Sequence, residues 1–243
     1  LDELRSNGYE AFYLAIGAQK GRKIGIEGED YEGVISGVEF LSRINQNEKE
    51  TISGNVVVIG GGNVAIDVAR VAVRAGGENV KMFCLENREQ MPALDEEIHV
   101  AESEDITINN SWGPKRIIGE NGKVTGIELM RCISTIDENG RFSPKYDEGD
   151  TMIVETDYVL LSVGQSIDWG GVLSGSKVVL NSNNTIQVDD ATYQTKQADI
   201  FAGGDVVTGP SFAIDAIAAG KQAAISIHRF VHEGQDLLIG RSR

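Results

Sequence analysis

Apolar residues come along this chain in short runs that end at glycine, and the spacing within each run predicts its element. Asn55-Val56-Val57-Val58-Ile59 is a continuous β-branched run, the pattern of a strand buried on both faces. It leads into Gly60-Gly61-Gly62-Asn63. From Val64 to Ala75, the residues Val64, Ala65, Val68, Ala69 and Ala72 recur at helical spacing and form a small-residue face suited to close packing on a sheet. Val80 to Leu85 predicts a second strand and completes a β-α-β unit of about 30 residues. Upstream, Tyr9 to Ala18 predicts a short buried strand ended by Gly17. Ser36 to Gln46, with Val38, Leu41 and Ile44 on one face, predicts a helix. Downstream, Pro92 to Glu104 reads as an acidic surface helix and Ile106-Thr107-Ile108 as a third strand. Alternating strands with turns at Glu120-Asn121-Gly122 and Glu138-Asn139-Gly140 then predict an antiparallel meander. Asp157 to Gly164 repeats the opening pattern of apolar strand and glycine. The last third predicts two short strands, Lys177 to Leu180 and Thr185 to Val188, then the run Ala198 to Asp205 and a long helix from Ser211 to Val231.

The two glycine-ended strands, closing at Gly17 and Gly164, bracket the β-α-β region. The simplest topology is one domain inserted into another, with residues 24–166 as the insert and residues 1–23 and 167–243 as the host. No fixed-period repeat appears, which sets solenoids aside.

Composition sharpens this picture. Glycine makes up 29 of 243 residues, about 12% against a usual ~7%. With only 4 prolines and no low-complexity linker, these glycines belong to tight turns and close backbone approaches. The net charge of −15 disfavours nucleic acid or an anionic membrane as a partner for the chain as a whole. Cys84 and Cys132 lie far apart and form no CxxC, so thiol-disulfide chemistry and a four-cysteine zinc site lack support. A reducing, cytoplasmic setting is the simplest expectation. No apolar run reaches the roughly 18 residues of a membrane helix.

The glycine loop carries the chemistry. Gly60, Gly62 and Ala65 fill a G-x-G-x-x-A template between a strand and a helix. Gly60 allows the sharp turn, Gly62 lets a pyrophosphate approach the backbone, and Ala65 lets the helix pack closely. Amides and dipole at the helix N-terminus favour the phosphate, so Gly60, Gly61, Gly62, Asn63 and Val64 are the expected cradle. The fingerprint calls for an acid at the end of the second strand to accept hydrogen bonds from the adenosine ribose. Glu86 stands there, 24 residues past Gly62. A carboxylate at this place repels a 2′-phosphate and favours NAD over NADP, whereas Arg88, two residues on, offers a 2′-phosphate an alternative partner. The competing readings are a purely structural turn at the loop and a solvated strand-end glutamate at Glu86.

With these residues in place, the chain resembles the glutamate synthase small subunit family of FAD-dependent NAD(P)H oxidoreductases, which includes the flavoprotein half of dihydropyrimidine dehydrogenase. The resemblance rests on Phe12 to Ala18, Val58 to Asp67, Arg88 to Ala93 and Asp157 to Gly164. It continues through Ile200-Phe201-Ala202-Gly203-Gly204-Asp205, Gly209-Pro210-Ser211 and Ala216 to Lys221, in family order over essentially the whole chain. It implies an α/β fold with a Rossmann-like NAD(P) domain inserted into part of an FAD domain. It also implies that Asp205 contacts the flavin ribityl chain and that the backbone at Ser211, Phe212 and Ala213 faces the flavin ring, with Gly164 and Gly204 among the cofactor-binding glycines. The implied reaction is hydride transfer between nicotinamide and FAD, with electrons passed to iron-sulfur centres in an N-terminal region or a partner subunit. No acid-base side chain is called for, and His99, His228 and His232 stay unassigned.

Three departures stand out. The family's first glycine fingerprint, which binds the ADP half of FAD, does not precede Gly60. Its N-terminal cysteine-rich region is absent. NADP-using members carry paired arginines where Leu85 and Glu86 stand. The chain therefore looks like the C-terminal portion of a larger flavoprotein. The alternative is a dinucleotide-binding module without turnover of its own.

Overall fold

The computed structural model describes residues 1–46, 51–232, 236–238 and 240. In chain order the elements are α1 (Asp2–Ser6), β1 (Phe12–Leu14), β2 (Lys20–Gly21), β3 (Val34–Ser36), α2 (Gly37–Gln46), β4 (Gly54–Ile59), α3 (Asn63–Arg74) and β5 (Gly77–Cys84). They continue as α4 (Asp95–Ser103), β6 (Thr107–Asn110), β7 (Trp112–Glu120), β8 (Lys123–Ile136), β9 (Phe142–Glu155), β10 (Tyr158–Leu161), β11 (Gln165–Ser166), β12 (Ile200–Ala202), α5 (Asp205–Thr208) and α6 (Ala213–Val231). Two compact units result, one of Gly21–Gly164 and the other of Leu1–Lys20 with Gln165–Arg243.

The first unit is built in three layers. Its central sheet has five parallel strands in the order β3-β10-β4-β5-β6. The β-branched run of β4 is needed because both faces are covered. Val56 and Val58 point into a core shared with Val68, Ala69 and Ala72 of α3, Phe40 of α2 and Ile98 of α4. Val57 and Ile59 point the other way, onto Ile117, Ile127 and Leu129 of the antiparallel sheet β7-β8-β9. Strand alternation thus feeds two separate cores from one run. The two expected turns close the meander, with Glu120 paired to Lys123 and Ile136 to Phe142.

The other unit holds a parallel pair, β1 with β12, in the register Phe12 to Ile200, Tyr13 to Phe201 and Leu14 to Ala202. Its core gathers Phe12, Leu14, Ile167, Ile186, Ile200 and Val206. Helix α6 buries Ala219, Ala223 and Ser226, and the Phe230 ring meets Phe201 edge-on at 5.8 Å.

The structure changes two expectations. The helix expected from Pro92 begins at Asp95, because backbone bonds hold the residues before it extended: Ala93 N–H donates to the Gly61 carbonyl at 3.1 Å, and Leu94 N–H donates to Asn63 Oδ1 at 2.9 Å. The two strands expected at 177–180 and 185–188 are reduced to a single bridge between Leu180 and Ile186. Side-chain bonds of Asn181 and Asn183 to Thr185 tie the intervening turn, where Asn184 has φ +69°, and compete with a longer ladder.

Candidate dinucleotide site

The glycine loop lies at the carboxyl end of the central strand β4. The ladder runs past the strand ends, with Gly60 N–H on the Phe83 carbonyl at 2.9 Å and Ser162 N–H on the Ile59 carbonyl at 2.8 Å. Gly60 has φ +146°, and a Cβ there would collide with the Ser162 carbonyl oxygen. A Cβ on Gly61 would stand 2.8 Å from Glu86 Oε2 and 3.0 Å from Cys84 Cβ. Gly62 differs from both. It caps α3 with extended backbone, φ −94° and ψ 174°, and the nearest atom to its missing Cβ is Pro92 Cγ at 3.9 Å. Gly60 is therefore demanded by the protein's own packing and Gly61 is crowded by Glu86 and Cys84, whereas a Cβ on Gly62 would make only ordinary contact with Pro92, beside a helix N-terminus whose first amides have no partner one turn back. A helix N-terminus of this kind is suited to an anionic group such as a pyrophosphate.

Glu86 follows β5 directly, and its backbone is fixed. Its carbonyl accepts from Ser111 N–H at 3.0 Å and from Asn110 Nδ2 at 3.2 Å. Its carboxylate reaches over Gly61. The neighbouring Cys84 thiol is buried, and burial first and the Glu86 charge second push its pKa up to about 12. It is therefore neither a nucleophile nor a redox group near neutrality.

The segment after Glu86 folds back across the loop. Asn87 caps a 3-10 turn, Arg88–Gln90, and Pro92 then comes over Gly62. Asn63 uses its side chain to hold Leu94, so its backbone belongs to the cradle and its side chain to the wall. Arg88 turns toward α4, with Nη1 3.3 Å from Asp95 Oδ1 and Nε 3.8 Å from Glu102 Oε1. Sequence reasoning missed Pro92, Asn110 and the Ser162 carbonyl as parts of this site. The Arg88 to Ala93 motif was visible, but nothing in its residue types shows that it closes over the glycines.

In the other unit, β12 runs into Gly203 and Gly204, and Gly204 has φ +70°. Gly203 gives way to the Tyr13 ring and Gly204 to Ala216 of α6. Asp205 Oδ1 accepts from Ser211 N–H at 3.2 Å, and Ser211 Oγ donates to Asp215 Oδ2 at 2.8 Å. These bonds fix the approach to α6, which starts at Ala213 with Phe212 as its cap. Phe212 is exposed at this end. A helix of 19 residues presents its positive end here, suited to the anionic edge of a flavin ring. Gly164 closes β10 with φ +110°, and its carbonyl accepts from Arg22 N–H at 3.1 Å.

The His228 and His232 rings lie 4.3 Å apart between centroids, tilted by 42°. Among the described residues no group of three or more His, Cys, Asp or Glu is placed to hold a metal, and no helix is long and apolar enough to cross a membrane.

A parallel sheet with a strand-glycine-helix turn at its carboxyl edge and an acid closing the next strand defines a dinucleotide-binding α/β protein. Within that class, the chain belongs to the pyridine nucleotide-disulphide oxidoreductase family, whose pattern matches residues 2–220. It is 34% identical over 238 residues to the NADP(+)-dependent formate dehydrogenase subunit beta of Moorella thermoacetica, covering 96% of this chain and 33% of that protein. It is 31% identical to the glutamate synthase [NADPH] small chain of Escherichia coli, covering 93% of this chain and 51% of that one. The chain thus spans a third to a half of the length of these relatives. In fold it is similar to Mycobacterium tuberculosis FprA in complex with NADPH, with TM-score 0.73 and 18% identity over 95% of this chain and 66% of that one.

Proposed function

We propose that this chain is the nicotinamide-nucleotide domain, residues 24–166, together with part of a flavin domain, residues 1–23 and 167–243, of an NAD(P)H-dependent flavoprotein oxidoreductase. When bound, the two cofactors supply the redox chemistry, a hydride exchanged between nicotinamide and flavin. The chain's own residues bind and orient. Gly60 to Val64 receive the pyrophosphate, and Glu86 receives the ribose hydroxyls. Gly204, Asp205 and the backbone at Ser211 to Ala213 receive the flavin, and Gly164 stands at the end of the nicotinamide domain. Electrons leave to an iron-sulfur region or a partner subunit. The subunit names of the relatives support that last assignment.

The observation that carries the reading is the uncrowded Gly62 at the N-terminus of α3, with the Glu86 carboxylate over the adjacent Gly61. The same carboxylate leads us to assign NAD as the preferred nucleotide, against the NADP and NADPH in the names of several relatives. Titrating the chain with NADH and NADPH side by side tests this. NADH binds more tightly, and Glu86→Arg raises NADPH affinity by about tenfold, the worth of one new charge-assisted contact. Tighter NADPH binding by the unaltered chain overturns the preference. A second reading, a dinucleotide-binding module without turnover, draws support from the single glycine fingerprint. The titration supports it if NADH binds and FAD added in excess does not.

A further inference from the structure

The route of the chain from Glu86 to Pro92 brackets the glycine loop, with one end over Gly61 and the other over Gly62. Arg88 sits in the middle of this bracket, two residues beyond the acid that closes β5. A guanidinium at such a place is suited to a 2′-phosphate. In this structure it is already engaged. Its Nη1 lies 3.3 Å from Asp95 Oδ1 and its Nε 3.8 Å from Glu102 Oε1, while the other Glu102 oxygen lies 3.3 Å from His99 Nδ1. Asp95, Glu96 and Glu97 fill the first turn of α4.

We propose that Asp95 and Glu102 hold Arg88 away from the nucleotide groove, and that this tether acts with Glu86 to discriminate against NADPH. The inference rests on the nucleotide-binding reading above. A 2′-phosphate can recruit Arg88 only by pulling it off two carboxylates, whose negative charge then opposes the phosphate. The phosphate therefore meets the cost twice, as competition for the cation and as repulsion from the released acids. NADH has no such group and does not interact with the tether.

The test is a set of nucleotide titrations on the unaltered chain and its variants. Asp95→Asn/Glu102→Gln tightens NADPH binding by about tenfold and leaves NADH within about twofold. Asp95→Asn alone, at a well-exposed side chain, gives a smaller gain of the same sign. Adding Arg88→Ala to the double variant removes the gain. If the double variant gains nothing, or if the gain persists without Arg88, the tether is overturned while NADH preference stands. An unaltered chain that prefers NADPH overturns the preference itself, and the tether with it.

Discussion

At the scale of single residues, the three glycines of the loop answer to different forces and should fail differently. Gly60 holds a backbone conformation that only glycine adopts readily, and a Cβ there meets the Ser162 carbonyl. Gly60→Ala should therefore lose about 3 kcal/mol of stability through strain and displacement of β10 from the loop. Gly62, at φ −94°, is free of strain, and a Cβ there would meet only Pro92 Cγ, at 3.9 Å. Gly62→Ala should stay within about 0.5 kcal/mol of the parent in urea unfolding, yet bind NADH at least about tenfold more weakly, because the new methyl occupies the place of the pyrophosphate. Equal losses of stability in both variants would show that Gly62 is structural and would remove the cradle. The template Gly60, Gly62, Ala65 was legible in the sequence because each residue type has a steric meaning. The partners that enforce it were not, since a carbonyl such as that of Ser162 leaves no mark on residue identity.

Elements with one dominant signal could be read from the chain, and those ruled by side-chain bonds could not. β4 and α3 follow from β-branched run and helical spacing, and the meander follows from its Asn-Gly turns. The late start of α4 and the lost strands at 177–188 both involve Asn side chains that accept from backbone N–H groups, Asn63 from Leu94 and Asn183 from Thr185, a competition that hydrophobic patterning does not register. How α4 is held against α3 is likewise invisible in the sequence. Glu104 lies between Arg70, at 2.9 Å, and Arg74, at 2.8 Å. The Arg70 hydrogen bond, with Arg74 adding to it, holds the Glu104 carboxyl below its usual range. A carboxylate whose folded pKa is depressed adds stability above the unfolded value of about 4.3, and that stability is lost as pH falls through the folded pKa. Glu104→Gln should accordingly be less stable than the parent at neutral pH, with the gap closing in acid. Chemical unfolding at a series of pH values checks this, and a gap that persists in acid would assign the loss to packing instead of charge.

For the whole molecule, the two units carry unequal equipment. Gly21–Gly164 has a complete three-layer core, a glycine loop and an acid at the next strand end. Among the described residues of the other unit the longest ladder is β1 with β12, beneath α6, and Phe212, Ile214, Ile217 and Ile225 of that region are exposed. Its Gly204-Asp205 turn and the start of α6 are the contacts we propose for a ribityl chain and a flavin ring. The ADP half of FAD carries a pyrophosphate of its own, and the sole G-x-G-x-x-A fingerprint here is the one assigned to the nicotinamide nucleotide. Contacts to half of a dinucleotide supply only part of its binding free energy, and affinity falls tenfold with each 1.4 kcal/mol lost. The 243-residue chain should therefore purify with far less than one FAD per molecule while still binding NADH. The flavin absorbance of a freshly purified sample, set against its NADH titration, measures both. Stoichiometric FAD would mean that the unit of β1, β12 and α6 suffices to hold the cofactor, and would sink the division of labour assigned to the two units.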